Sequence, residues 1–285
     1  MIIKTQAIVL NVHPFSETSH VVSWLTCDHG RISTIVKGAL RPRNFFLGQY
    51  DLFYTCELLC YMRLFQGLHI VKECFPLKSR QELRDYWLGA ACASYFTGLA
   101  AKVTHPYAPQ RGIYALLDAA LDFFAGKSGR TALPGSKPSD ATLETGLYWF
   151  EMKLLELMGF SPSLQACLLC RRPLLPAGTE VSDSKEKRHF AFSTARGGAL
   201  CGACHAKHKA DSVLIAADTL ALLRFWQSSR QTNAIFNTVC SERQTGDIGA
   251  VLGGFLQHHL ETENAGRKIA LSILRKRVAK WRWSP

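Results

Sequence analysis

Along the first 76 residues, apolar side chains come in short β-rich runs separated by turn formers. Ile2 to Val12 is dense in Ile, Val and Leu and closes at His13-Pro14. His20 to Cys27 (HVVSWLTC) is β-branched and aromatic and ends at Asp28-His29-Gly30. Arg31 to Lys37 (RISTIVK) alternates polar and apolar before Gly38. Tyr50 to Met62 is a longer strand-like run, and Leu68 to Phe75 follows Gly67. β-Branched and aromatic residues pack well on a pleated surface, and Gly, Pro and Asp punctuate it. The spacing therefore predicts five strands in a small antiparallel barrel. Gly38 to Gly48 (GALRPRNFFLG) is polar at its centre and predicts a loop.

At Pro76 the period changes. From Ser79 onward, Leu83, Trp87, Ala90, Ala91, Ser94, Tyr95 and Leu99 recur at three- and four-residue steps, as on one face of a helix. Ser79, with Glu82 three residues on, has the pattern of a capping box, in which two side chains satisfy the first free N–H groups. A second helix is predicted from about Pro109 to Ala125, with Ile113, Leu116, Leu117, Ala120, Leu121 and Phe124 on its apolar face. Gly126 to Ala141 is rich in Gly, Ser, Pro and Lys and predicts an exposed loop. Helix resumes from about Ala141 to Met158 and stops at Gly159, a residue suited to the left-handed turn that ends helices. Ala216 to Gln227, Ile248 to Glu261 and a basic segment from about Ala265 to Trp283 extend the helical pattern. The predicted fold is α+β: a barrel domain over 1–77 and a helical domain over 78–285.

Composition narrows the class. The 285 residues are 47% hydrophobic and 20% charged, enough apolar material for folded cores. No apolar run approaches the ~20 residues of a membrane-spanning helix. Met1 to Gln6 lacks the basic and apolar regions of a secretory signal. The expected location is the cytoplasm, with no membrane partner. Lys and Arg number 34 against 22 Asp and Glu, which favours a polyanionic partner such as nucleic acid.

Ten cysteines in a cytoplasmic chain do not form a disulfide framework. Cys27, Cys56, Cys60, Cys74, Cys92 and Cys240 are scattered among apolar neighbours and are expected to be small core residues. The other four are arranged differently. Cys167-Leu168-Leu169-Cys170 and Cys201-Gly202-Ala203-Cys204 are two knuckles with 30 residues between them. Two thiolates three positions apart chelate one ion from a tight turn, and two such turns complete a tetrahedral shell suited to zinc. The spacing predicts a structural zinc module over about 163–210, with a small hairpin from Lys187 to Leu200 between the knuckles. His205 and His208 follow; His205 could replace Cys204, but four thiolates already close the shell. A closed shell leaves no position for water or substrate. No P-loop, H-E-x-x-H or G-x-S-x-G pattern occurs either, so an enzyme is not expected.

Two basic clusters stand out. Lys37, Arg41 and Arg43, with Arg31 nearby, sit beside Phe45 and Phe46 in the barrel loop. Guanidinium groups neutralise phosphates while aromatic faces stack on bases, a combination that suits single-stranded nucleic acid. Alternatively the two Phe rings anchor the loop to the core. The second cluster is C-terminal: Arg267, Lys268, Arg275 and Lys276, continuing into Arg277, Lys280 and Arg282 with Trp281 and Trp283 interleaved. Its competing reading is the solvated face of a docked helix whose Ile269, Ile273 and Leu274 pack inward.

The order of these features resembles the bacterial RecO recombination-repair family. Ile8-Val9-Leu10, Ser16-Glu17-Thr18-Ser19 and Gly30-Arg31 leading to Val36-Lys37-Gly38 are similar to its N-terminal barrel. Leu154 to Pro162 (LLELMGFSP) resembles the L-L-x-x-x-G-F-x-P segment before its first cysteine pair. Phe192-Ser193, Gly197-Gly198 and Leu200-Cys201 resemble the approach to its second pair, and Leu256 to Leu260 its last helical segment. The resemblance implies an OB-type barrel, a helical domain with a zinc module, and binding to single- and double-stranded DNA. It also implies annealing of complementary strands, partnership with RecR, and contact with the C-terminal tail of single-stranded-DNA-binding protein during loading of the recombinase RecA. It places the protein with the nucleoid. The chain departs from the family where Arg171-Arg172 follow the first knuckle, a place where glycine is common, and where Leu40 and Asn44 occupy expected charged positions.

The expected mechanism is physical: cations on the protein lower the repulsion between two strands. Alternatives are a zinc-containing adaptor with little DNA affinity, which would keep its partners but not DNA at ~0.1 M salt, and a zinc-dependent or hydrolytic enzyme, for which turnover lost on removing zinc would speak.

Overall fold

The computed structural model describes residues 1–63, 67–126, 139–175, 189–207, 212–229, 238–260 and 265–276. The chain divides into two compact units, Met1–Lys137 and Pro138–Pro285.

In the first unit, β1 (Ile2–Ser16), β2 (Ser19–Thr26), β3 (Gly30–Val36), β4 (Thr55–Tyr61) and β5 (Leu68–Lys78) close into a barrel in the order β1-β2-β3-β5-β4. β1 is long because it serves two neighbours. It pairs with β4 from Ile2 to Ile8 and with β2 from Ala7 to Ser16, and a bulge between Val9 and Asn11 bends it around the cylinder. All five predicted strands form, but the barrel is not wholly antiparallel. β3 and β5 run parallel over Ser33↔Leu68 to Ile35↔Ile70, a pairing made possible by the long crossover through β4.

Period-2 alternation puts Val9, Val22, Trp24, Ile32, Leu58 and Val71 inside. The buried Trp24 indole N–H donates to Thr34 Oγ1 at 2.8 Å, so the core holds no orphan donor there. Cys56, Cys60, Cys74 and Cys92 are buried as expected, while Cys27 and Cys240 are half-buried. β4 starts later than the sequence run because Tyr54 closes a turn onto Asp51 and Phe53 has a left-handed backbone, φ 69°.

Among the described residues, three helices join the barrel in this unit: α1 (Glu82–Asp85), α2 (Trp87–Val103) and α3 (Arg111–Phe124). α3 buries every apolar position the sequence assigns to it. α1 is a single turn whose cap position is Gln81, and Ser79 makes no capping box. Arg80 intervenes with φ 44° and a wholly buried side chain. Its guanidinium donates to Asp118 and Asp122 of α3, to the Phe53 carbonyl at 2.6 Å and to Thr55 Oγ1 at 2.9 Å. Lys78 joins the same two carboxylates. This ion cluster ties α3 to the barrel, and both lie in the first compact unit. On α2 the buried line is Leu88, Cys92, Phe96 and Leu99, and Trp87 faces outward.

The second unit is built on α4 (Asp140–Leu157). Ser139 Oγ accepts from the Thr142 N–H at its start. At its end Phe160 N donates to Leu155 O and Gly159 N to Glu156 O, with Gly159 at φ 84°, a Schellman turn. Against α4 lie α7 (Glu242–Leu260) and α8 (Ala265–Lys276). A three-stranded sheet has the order β7 (Gly198–Leu200), β6 (His189–Ser193), β8 (Ser212–Ala216), with α5 (Gly202–Lys207) and α6 (Ala217–Ser228) beside it. The β6–β7 hairpin matches the one expected between the knuckles; β8 is additional to the expected elements. The loop predicted over Gly126–Ala141 and the basic tail from Arg277 to Trp283 lie largely or wholly outside the described residues. No helix among the described residues is long and apolar enough to cross a membrane.

Candidate functional site

The four knuckle cysteines converge. Their sulfur atoms all lie within 4.8 Å of one another, and this is the cluster among the described residues that could hold a metal ion. Cys167 and Cys170 sit on a hairpin tip closed by the Ala166–Pro173 bridge and by Cys167 N donating to Arg172 O at 2.9 Å. Cys201 and Cys204 flank the start of α5, directly after β7. Backbone bonds join the two pieces: Ser163 N to Gly197 O, Ala199 N to Ser163 O and Leu168 N to Ala199 O, at 2.9 to 3.0 Å. Gly198 permits this approach, since a Cβ there would lie 2.6 Å from Ser163 O. The sequence shows Gly197-Gly198 as a turn; the close approach behind it has no local signal.

The geometry fits a tetrahedral ion. Thiolates ~2.3 Å from a central zinc would stand ~3.8 Å apart, and the Cys170 and Cys201 sulfurs are 3.7 Å apart. That separation is far beyond the ~2.05 Å of a disulfide. Burial pushes the Cys167 thiol up, but N–H groups of Cys170, Cys201 and Leu169 aimed at its sulfur outweigh this and bring it down to about 6. Cys204 moves the other way, to about 12, chiefly through its hydrogen bond with Cys201. A cluster of thiols crowded this closely yields one thiolate readily and resists the next, unless a cation neutralises the group. The ligands run from buried Cys167 through half-buried Cys201 and Cys204 to exposed Cys170. His205 is directed elsewhere, its Nδ1 lying 3.0 Å from Ser212 Oγ.

Arg171, just past the first pair, has φ 62°. A residue with a Cβ adopts that region at a cost of ~1–2 kcal/mol relative to glycine.

The cationic residues divide sharply. Lys37, Arg41 and Arg43 are exposed and have no carboxylate partner among the described residues. Their loop is ordered by its own turns: Arg41 N donates to Gly38 O, Asn44 Nδ2 to Arg41 O and Gln49 N to Phe46 O. The two Phe rings split the alternatives between them. Phe46 packs on the barrel core, and Phe45 stands edge-on to it, centroids 5.7 Å apart, with 65% of its surface exposed. Arg31 differs from these three. Its Nε donates to Thr104 O at 3.3 Å, bracing the barrel against the segment after α2.

The C-terminal cluster needs correction. Arg267 is 7% exposed and grips Glu151 of α4 through Nε and Nη2 at 2.7 and 3.0 Å, so it holds α8 in the core and is closed to an outside ligand. Arg275 is bound to Glu144 and to the Tyr148 hydroxyl. Lys268 is exposed, as is Ile269, while Ala270, Leu271 and Leu274 face inward. Lys276 ends the described part of α8, and its side chain falls outside the described set.

With this geometry in hand, comparison with known proteins is decisive. A family model described as Recombination protein O N terminal matches residues 1–80, and one described as Recombination protein O C terminal matches residues 84–268. The chain belongs to the RecO family. The protein named DNA repair protein RecO in Alkaliphilus metalliredigens is 30% identical over 207 residues, covering 72% of this chain and 73% of that protein. Its namesake in Syntrophus aciditrophicus is 25% identical over 273 residues, 95% and 96% of the two chains. That of Moorella thermoacetica is 26% identical over 260 residues, 90% and 86%. The N-terminal RecO match ends at Arg80, inside the ion cluster, and the cysteine site lies within the C-terminal one.

Proposed function

We propose that this RecO-family chain is a non-catalytic DNA repair and recombination mediator. It binds single- and double-stranded DNA, promotes annealing of complementary strands, and helps load recombinase together with RecR and the tail of single-stranded-DNA-binding protein. The ion of the cysteine site is Zn2+, held by Cys167, Cys170, Cys201 and Cys204 in a structural role. The workplace is the cytoplasm, at the nucleoid. The names of the relatives support the repair role. The observation that carries the DNA reading is the ordered loop after β3, with Lys37, Arg41 and Arg43 unpaired beside the exposed Phe45 ring.

These cations neutralise phosphates and release counterions, and Phe45 offers a stacking face to an unpaired base. Two strands whose charge is partly cancelled approach each other more easily, and the protein needs no chemical step. Fluorescence anisotropy with labelled single-stranded DNA tests this. Wild type should bind with an affinity that falls linearly on a log–log salt plot. Lys37→Glu with Arg41→Glu should weaken binding at least tenfold at constant salt without changing the thermal midpoint. Unchanged affinity would remove the loop from the interface.

The pairing of Arg267 and Arg275 with carboxylates favours one competitor, an adaptor that binds repair partners and touches DNA little. Wild type that retains RecR but shows no DNA affinity at low salt would establish it.

A further inference from the structure

Annealing requires two strands on the protein, and the barrel loop supplies one cationic surface. On α8, Arg267 and Arg275 are occupied by carboxylates, and Lys268 is the exposed cation left among its described side chains. Another group of cations flanks the cysteine site. Arg171 and Arg172 follow Cys170 directly and are exposed. Lys207 is also exposed and lies three residues after Cys204 on α5, on the same helical face as that ligand. None of the three has a carboxylate partner among the described residues.

The backbone beneath the two arginines is fixed. Arg171 N donates to Cys167 O and Arg172 O accepts from Cys167 N, both at 2.9 Å. Two guanidinium groups therefore project from one tight turn, and one stands on a left-handed backbone that glycine would occupy without strain. Strain retained at an exposed, charged position points to a binding role there. Four thiolates around a divalent ion leave a net charge near −2, and the three cations more than offset it. A peptide ligand draws most of its affinity from buried anchors in a pocket, whereas a phosphate backbone needs charge alone. The turn sets two exposed arginines against one partly exposed apolar side chain, Leu169, and so fits the second.

We infer that the cysteine module carries a second phosphate-binding surface, formed by Arg171, Arg172 and Lys207, that holds a DNA strand independently of the barrel loop. The inference rests on the DNA-binding reading above. Its test uses the full-length, metal-loaded chain and anisotropy of a labelled single-stranded oligonucleotide across a salt series. Four proteins are compared: wild type, the barrel double variant, a knuckle variant (Arg171→Gly, Arg172→Ala, Lys207→Ala) and their combination. Glycine at 171 removes strain, so the knuckle variant should fold.

It should keep its metal and lose ~2 from the slope of log affinity against log salt, at ~0.7 for each phosphate of a single strand that is no longer neutralised. The combination should lose both contributions. A knuckle variant with the wild-type slope overturns the inference. So does one that loses its metal, which would assign the cations to stabilising the thiolates. Capture of polyglutamate by wild type but not by the knuckle variant, with the DNA slope unchanged, would assign the patch to an acidic protein and overturn it equally. Wild type without DNA affinity at low salt would overturn the proposed function as well, and is distinguishable because no variant is needed to see it.

Discussion

Arg80 is a charge with no access to water, and its surroundings account for that. Two carboxylates, two backbone carbonyls and a hydroxyl accept its N–H groups. Removing one member of such a cluster strands the others in a poorly solvated place. Arg80→Ala should therefore destabilise the first unit by about 3–5 kcal/mol, whereas Arg84→Ala, which breaks only the exposed pair with Asp51, should leave the melting midpoint nearly unmoved. Burial raises the Asp118 carboxyl, but hydrogen bonds from Lys78, Thr55 and Arg80 outweigh it and hold it below its ordinary value. The stability this contributes is complete above about pH 4 and disappears as pH falls through the lowered value. Acid titration of wild type and Arg80→Ala by circular dichroism should show a shallower acid limb in the variant.

The cysteine ligands were legible at this scale because chelate spacing is local. The fate of Arg267 was not, because its partner Glu151 is 116 residues away. A helical pattern scores any arginine as solvent-facing until a buried carboxylate stands opposite it.

At the scale of elements, β7 can lie against the segment before the first knuckle only because residue 198 has no side chain. Gly198→Ala would drive a methyl into the Ser163 carbonyl. It should lower stability by ~1–3 kcal/mol and weaken metal retention, measured as the chelator concentration that removes half the ion. Gly202→Ala, with nothing within 4 Å of the added Cβ, is the control and should do neither.

The strands of the barrel were readable because each packs one face inward, so period 2 survives in the sequence. The parallel seam was not, because register between β3 and β5 is a property of the closed cylinder. The capping pattern Ser79–Glu82 misled for a similar reason: the demand of Arg80 for its partners on α3 sets the backbone there, and local propensity yields. On α2, Trp87 fits the helical period but lies one step off the buried line through Leu88.

For the molecule as a whole, the barrel unit and the cysteine unit each have their own core and, among the described residues, their own cations without carboxylate partners, which suits the proposed role of holding two strands. The second unit has packing of its own beside the cysteine site: β6 places Phe192 edge-on to Phe255 of α7, 5.7 Å away, and backbone bonds join the knuckle segments. Stripping the metal with a chelator should therefore lower the thermal midpoint while leaving a cooperative transition and most of the helical signal, unlike small zinc fingers that unfold without metal. Loss of the helical signal on chelation would show that the ion builds the unit.

The graded burial of the four ligands, from Cys167 inward to Cys170 at the surface, carries a kinetic consequence. Cys170 is the most exposed of the four thiols, so at a site holding an ion it would be the one a competing chelator meets first. Metal release should then rise with chelator concentration and be indifferent to denaturant below the unfolding transition, as expected of a site that opens to solvent without the fold opening with it.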